Sequence, residues 1–181
     1  MFSVNVPLPA DVDRLTADLQ PQLSGFDRVR DRHTLVVKRV SLDDVGLTEG
    51  RTDGRTRERA LDRLQKQLSA VCADTSPFWV RLTGIATFEP AVGAEEIVVY
   101  LAVESSELVR LHRRLCRVVA PVGGIEGDEY VPHVTLARGD APNRAVIDRL
   151  CEAEIEPVRW RVDSLDLYDA AFREVARRVE L

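Results

Sequence analysis

Two of the three histidines in this 181-residue chain, His33 and His133, begin similar strings. The strings are His33-Thr34-Leu35-Val36-Val37-Lys38 and His133-Val134-Thr135-Leu136-Ala137-Arg138. A pair of histidines suits in-line attack at a phosphodiester, because one imidazole can take a proton from the nucleophile while the other protonates the leaving oxygen. The two strings therefore predict acid/base chemistry at a phosphate, with His33 and His133 as the catalytic pair.

The second string also supplies groups that could hold the phosphate. On a β-strand His133 and Thr135 project to the same face, so an imidazole and a hydroxyl can reach one phosphoryl group. The hydroxyl can donate to a non-bridging oxygen. If the strand stays regular, we expect Arg138 as a third member of that face, where its charge would neutralise the phosphate.

Hydrophobic patterning predicts the elements that position these residues. Alternating and helical spacings give the order β-α-β-α-β-β-α-β-α-β-β, with one histidine string on a strand in each half of the chain. The strand that carries the first histidine string is predicted at about Arg32 to Val40. Near Asp163 and Ser164 the alternation changes phase, which predicts a bulge. No linker separates the halves, so we predict an α+β fold in one domain over residues 1–181.

Composition restricts the partners and the compartment. The net charge of −5 argues against a large basic surface, so any contact with RNA should be local. No apolar run approaches the roughly 20 residues that cross a bilayer, and no signal peptide is evident, which favours a cytoplasmic protein without membrane contact. Cys72, Cys116 and Cys151 fit no zinc-binding spacing. We expect neither a metal nor a cofactor.

The string from Tyr130 to Arg138 resembles the second signature of the two-histidine phosphoesterases, which reads His, apolar, Thr or Ser, apolar. Three further segments are similar to that family. Met1 to Val6 is similar to its opening strand, Val98 to Val103 to the apolar strand between its motifs, and Leu165 to Tyr168 to its Leu-x-Leu-Tyr. The resemblance covers nearly the whole chain, and the family includes the 2′–5′ RNA ligases.

This resemblance implies a bilobed fold in which two antiparallel sheets face each other across a cleft, with helices on the outside. It implies a metal-free phosphodiesterase that opens a 2′,3′-cyclic phosphate to a 2′-phosphate, and a reverse 2′–5′ RNA ligation without ATP. The substrates would be RNA ends or cyclic nucleotides, bound by a monomer. The residues implied, beside the pair His33 and His133, are Thr34, Thr135, Arg138, Lys38 and the aromatic Tyr130 as substrate contacts.

The first string departs from the family's His-x-Thr and allows two registers. If His33 takes the histidine position, Leu35 replaces the threonine and Lys38 matches the arginine of the second string. If Thr34 takes the threonine position, Arg32 replaces the histidine and His33 points away from the site on a regular strand, unless a bulge at Thr34 brings both inward. The rival hypothesis is therefore a non-catalytic module that binds a nucleotide or RNA end, and the direction of the His33 side chain discriminates the two.

Overall fold

The computed structural model describes residues 1–47, 54–88, 96–139 and 144–181. Its four α-helices in this part of the chain carry the apolar spacing seen in the sequence. Leu61, Leu64 and Leu68 of the second helix are buried, and Ser105 caps the third helix by accepting a 3.2 Å hydrogen bond from the Leu108 amide. The helices are α1 Ala10–Leu19, α2 Gly54–Cys72, α3 Ser106–Leu115 and α4 Arg144–Glu152. None of the described helices is long and apolar enough to cross a membrane.

The strands form one antiparallel sheet, so the predicted α+β class is confirmed. The strands are β1 Phe2–Val6, β2 Arg28–Val29, β3 Leu35–Val40, β4 Phe78–Phe88, β5 Ile97–Glu104, β6 His133–Gly139, β7 Arg159–Val162, β8 Ser164–Asp169 and β9 Glu174–Glu180. Their order is β7-β4-β5-β6-β3-β1-β8-β9, with the short β2 added beside β6. The predicted order lacked β2, and it counted β7 and β8 as one bent strand.

The sheet has two halves that we call lobes. The first lobe contains β3, β1, β8 and β9, and the second contains β7, β4, β5 and β6. Strands β3 and β6 join the lobes through the single pairing of Leu35 with Val134. The two separate sheets predicted from the resemblance are therefore halves of one curled sheet, which diverge on either side of this pair.

The phase change near Asp163 was located correctly, but its structural meaning differs. Strand β7 pairs with β4 in the second lobe, whereas β8 pairs with β1 in the first. Asp163 is the one residue between them, and its carbonyl accepts a 2.8 Å hydrogen bond from the Leu181 amide. The alternation changes phase here because the chain passes between lobes and its inward face changes, so no bulge is needed.

Candidate functional site

A cavity of about 410 Å³ lies where the lobes diverge. Strand β6 contributes His133 and Thr135, and the segment before β3 contributes Arg32 and Thr34. The structure thus brings the two threonines to one cavity with one of the predicted histidines. The strand pairing explains this, since Leu35, directly after Thr34, lies opposite Val134, between His133 and Thr135.

The His133 ring is held in one orientation. Its Nδ1 lies 2.7 Å from the Val131 carbonyl oxygen, which accepts a hydrogen bond and so places the proton on Nδ1. The rings of Phe88 and Tyr100 meet it edge-on, with centroids 5.0 and 5.3 Å away. Burial lowers the pKa of His133, the bond to Val131 acts in the opposite direction, and the charges of Arg39 and Arg138 lower it further. Nε2 is then the basic nitrogen, suited to accept a proton or a hydrogen bond.

Arg138 lines the same cavity because β6 is bulged. Tyr100 of β5 lies opposite Thr135, and Val99 lies opposite Ala137, so Leu136 is an extra residue. The bulge reverses the alternation and brings Arg138 to the face of His133 and Thr135. A regular strand would place residues 133 and 138 on opposite faces, so the reason given from the sequence was wrong although the residue lies at the cavity.

A second bulge brings Arg39, not Lys38, to the cavity. In β1, Val4 lies opposite Lys38 and Asn5 opposite Val36, which leaves Val37 as the extra residue of β3. Arg39 consequently lines the cavity. Lys38 is completely buried elsewhere and donates to Glu126 Oε2 at 2.5 Å. The structure therefore does not place Lys38, a predicted substrate contact, at this cavity.

Tyr130 also lies away from the cavity. Its ring stacks on His112 with centroids 3.8 Å apart, and its hydroxyl donates to the Val36 carbonyl at 2.8 Å. His112 in turn accepts from the Gly127 amide at 2.8 Å and donates to the Val37 carbonyl at 2.6 Å. These contacts give Tyr130 and His112 a packing role behind β3. Tyr130 does not line the cavity.

Positive charge dominates the cavity. In the described part of the chain its wall carries five arginines and one carboxylate, that of Asp31; the arginines are Arg30, Arg32, Arg39, Arg138 and Arg173. The Nε of Arg138 is buried and has no hydrogen-bond partner among the described residues. Burial lowers the pKa of Arg138, and the neighbouring arginines Arg30, Arg39 and Arg28 lower it further. An anion would relieve this repulsion and supply the missing acceptor.

Arg32 occupies the place that the second register assigns to it. Its Nη1 donates to the Tyr168 hydroxyl and to the Arg173 carbonyl, both at 2.9 Å. Its guanidinium carbon lies 4.2 Å from the centroid of the Tyr168 ring, a cation–π contact. These contacts hold the guanidinium at the cavity wall. Thr34, two residues further along the chain, lines the same cavity.

His33 lies at a neighbouring cavity of about 300 Å³ and does not line the cavity of His133. The predicted strand was expected to begin at Arg32, but β3 begins at Leu35. Residues 31–34 are irregular, so strand alternation does not determine the direction of His33. The pairing of His33 with His133 in catalysis stays a prediction.

The histidines give the protein an expected pH dependence of stability. Burial is the largest cause lowering the pKa of each of His33, His112 and His133. Below an unfolded pKa of about 6.5 the unfolded chain takes up protons that the folded chain resists. We expect the free energy of unfolding to fall between about pH 7 and pH 5, measured as urea midpoints at several pH values. Midpoints that stay constant over this window would contradict the burial of the three imidazoles.

Comparisons with known proteins agree with the fold and the second string. The sequence pattern of the 2′-5′ RNA ligase superfamily matches residues 34–171. The chain therefore belongs to the 2′-5′ RNA ligase superfamily, and the resemblance seen in the sequence is confirmed. A candidate phosphoesterase of Geobacillus kaustophilus, GK0864, is 26% identical over 104 residues. That match covers 57% of this chain and 56% of the relative, a little over half of each.

Two solved structures share the fold along nearly the whole chain. The crystal structure of TT0787 of Thermus thermophilus has a TM-score of 0.61 at 21% identity, covering 99% of this chain and 97% of that one. E. coli LigT complexed with 3′-AMP has a TM-score of 0.55 at 17% identity, covering 99% and 94%. The match to the superfamily begins at Thr34. The match therefore includes Thr34 but neither Arg32 nor His33, and it does not decide between the two registers.

Several residues of the cavity were not predicted from the sequence as site residues, among them Arg30 and Arg39. Tyr168 carried a signal in the Leu-x-Leu-Tyr string, and the structure places it at the cavity, opposite Ser3 of β1. Arg39 carried no signal, since its direction depends on the bulge. Arg30 follows β2, a strand of two residues that is too short to produce a pattern.

Proposed function

We propose that this protein binds the phosphate end of an RNA or a small nucleotide in the cavity between the lobes. The observation that carries the proposal is that five arginines line one cavity together with Thr34 and Thr135. Arginine binds phosphate oxygens in bidentate fashion, and hydroxyls donate to the remaining oxygens. The 3′-AMP bound to LigT supports a nucleotide as the ligand.

The arrangement of charges fits a terminal phosphate better than a long nucleic-acid backbone. The arginines converge on one cavity of about 410 Å³, while the chain as a whole carries a net charge of −5. A backbone-tracking protein would need an extended basic groove. The phosphate would enter between Thr34 and Thr135, with His133 Nε2 able to hydrogen-bond to one of its oxygens.

Metal-independent hydrolysis of a 2′,3′-cyclic phosphate is the second candidate function. The orientation of His133 and the membership of the superfamily favour it. In that reaction a water oxygen attacks phosphorus, the bond to O3′ breaks, and one proton leaves the water while another reaches O3′. His133 can carry one of the two protons. If His33 carried the other in solution, the His33→Ala variant would lose turnover, and the two-histidine assignment would stand.

The binding proposal is tested by removing one arginine. Arg138→Ala should weaken the binding of 2′,3′-cyclic AMP about tenfold or more, because charge-assisted hydrogen bonds to the phosphate are lost. Isothermal titration calorimetry of the wild-type and variant proteins measures this change. Arg110→Ala is the matched control, since Arg110 is exposed on α3 and pairs with Glu107.

The same titrations separate the two candidate functions when the products are resolved by chromatography. Tight binding with the cyclic phosphate intact supports a binding module. Conversion to the 2′-phosphate supports the hydrolase. Equal affinity of the wild-type and Arg138→Ala proteins would show that the phosphate lies elsewhere.

A further inference from the structure

The neighbouring cavity, at which His33 lies, shares a wall with the cavity of His133, which we call the phosphate cavity because of the proposed function. Four residues line both: Asp31, Arg32, Thr34 and Tyr168. The two cavities follow one face of β1, because Ser3 lines the first and Asn5, two residues on, lines the second. The second cavity therefore adjoins the first, and its volume of about 300 Å³ admits a planar ring.

Asn5 provides an unused acceptor in this second cavity. The residue is only 7% exposed, and its Oδ1 has no hydrogen-bond partner among the described residues. A buried oxygen without a partner is costly, so sites of this kind are satisfied by a donor from a ligand or from water. Asn5 therefore indicates that a group with N–H or O–H donors belongs here.

Carboxylates add further acceptors to the second cavity, and its one arginine among the described residues, Arg32, already donates to the Tyr168 hydroxyl and the Arg173 carbonyl. Its wall holds the carboxylates of Asp13, Asp31 and Asp166, and ionised carboxylates accept hydrogen bonds without donating. Asp166 is already engaged by Arg178, whose Nε and Nη2 lie 2.8 and 3.3 Å from its oxygens. Asp13 and Asp31 line the same cavity as Asn5, and Asp31 also forms an exposed ion pair with Arg173 Nη2 at 3.8 Å. Burial lowers the pKa of His33, and the charges of Asp13 and Asp31 act in the opposite direction.

The contrast between the cavities defines the ligand. The first is cationic and suits a phosphate, and the second is rich in acceptors and suits an amino group. We propose that the second cavity binds the exocyclic amino group of a nucleobase whose phosphate occupies the first. This inference rests on the proposed function, since the same nucleotide must span both cavities. The second cavity would make the protein prefer nucleobases that carry an amino group. The phosphate site alone would bind nucleotides of any base equally.

The test compares guanosine and inosine 2′,3′-cyclic phosphates, which differ by one exocyclic amino group. We expect the guanosine compound to bind about tenfold more tightly, because its amino group can donate a hydrogen bond to a charged acceptor. Asp13→Ala should reduce this ratio towards one and leave the affinity for the inosine compound unchanged. Asp18→Ala is the matched control, because Asp18 is also exposed on α1 and lines neither cavity.

Asn5→Ala gives an independent measurement, with circular dichroism to establish that the variant folds. It too should remove the preference for guanosine. Equal binding of the two compounds by the wild-type protein would overturn the base site and leave the phosphate site standing. Failure of both compounds to bind would overturn both proposals. A preference that survives in folded Asp13→Ala and Asn5→Ala proteins would show that the amino group is recognised elsewhere.

Discussion

Arg32→His is expected to increase the hydrolysis of 2′,3′-cyclic AMP by about 10²-fold or more over the wild-type protein. The substitution creates His-x-Thr in the first string, at a position that already lines the cavity of His133 together with Thr34. A positioned imidazole contributes about 10² to 10⁴ in rate when it transfers a proton in the transition state. The guanidinium of Arg32 cannot do so near neutral pH, because arginine stays protonated. The measurement is kcat/KM, with the product resolved as the 2′- or 3′-phosphate.

Two further variants make this result interpretable. Arg32→Gln removes the charge and the contacts to Tyr168 and Arg173 without supplying an imidazole, so it should show no gain. His133→Ala in the Arg32→His background should remove the gained activity, because the second proton carrier is lost. The expectation fails if Arg32→Gln gains as much as Arg32→His. It also fails if the wild-type protein is already the faster enzyme.

Lys38→Met is expected to lower the free energy of unfolding by about 3–5 kcal/mol, because the buried Glu126 loses its hydrogen-bonded cation. Among the described residues, only the Arg39 guanidinium, with Nη1 3.8 Å from Oε1, would then remain as a cationic neighbour. The side chains of Lys38 and Glu126 are both completely buried, and their atoms Nζ and Oε2 are 2.5 Å apart. Lys38 also donates to the carbonyls of Arg39 at 2.6 Å and Ala120 at 2.9 Å. Burial alone would raise the pKa of Glu126, but the bond from Lys38 and those from the amides of Val122 and Arg39 outweigh it and lower that pKa.

The double variant tests whether the buried charge is the cause. Lys38→Met with Glu126→Gln should recover part of the lost free energy of unfolding. The neutral side-chain amide can still accept from the Arg39 backbone amide, which lies 2.7 Å from Glu126 Oε1 in the wild-type protein. Urea denaturation measures all three proteins. Arg81→Ala, which removes an exposed pair with Glu104, should cost less than about 1 kcal/mol. A similarly small cost for Lys38→Met would contradict the importance of the buried pair.

The sequence predicted those elements whose formation depends on local patterning. The apolar spacings of α2 and α3 gave their buried faces, and the alternation of β4 and β6 gave two of the principal strands. The family was predictable as well, because His133 and Thr135 keep their spacing on a strand and the match is confirmed. The joining of the lobes was not predictable, because it depends on one long-range pairing, Leu35 with Val134.

The site was only partly predictable because bulges are decided by the neighbouring strand. Lys38 and Arg39 are adjacent cations in a strand, and nothing local determines which of them faces the cavity. The register against Val4 and Asn5 determines it, by leaving Val37 as an extra residue. The direction of His33 depended likewise on where β3 begins. Two registers were compatible with the sequence, and Arg32 and Thr34, the residues of the second, line the cavity of His133.

The route of the chain between lobes has a consequence for how the protein folds. Apart from the two-residue β2 beside β6, all strands of the second lobe lie within residues 78–162. The first lobe combines β1 and β3 with β8 and β9 from the other end of the chain. Contacts within the second lobe are thus closer in sequence, and short-range contacts form fastest. During synthesis the second lobe can pair its strands as soon as residue 162 has emerged, while β1 must wait for β8. Until then the edge of β1 is open to wrong partners, so a chain stalled before residue 164 is the species we expect to aggregate.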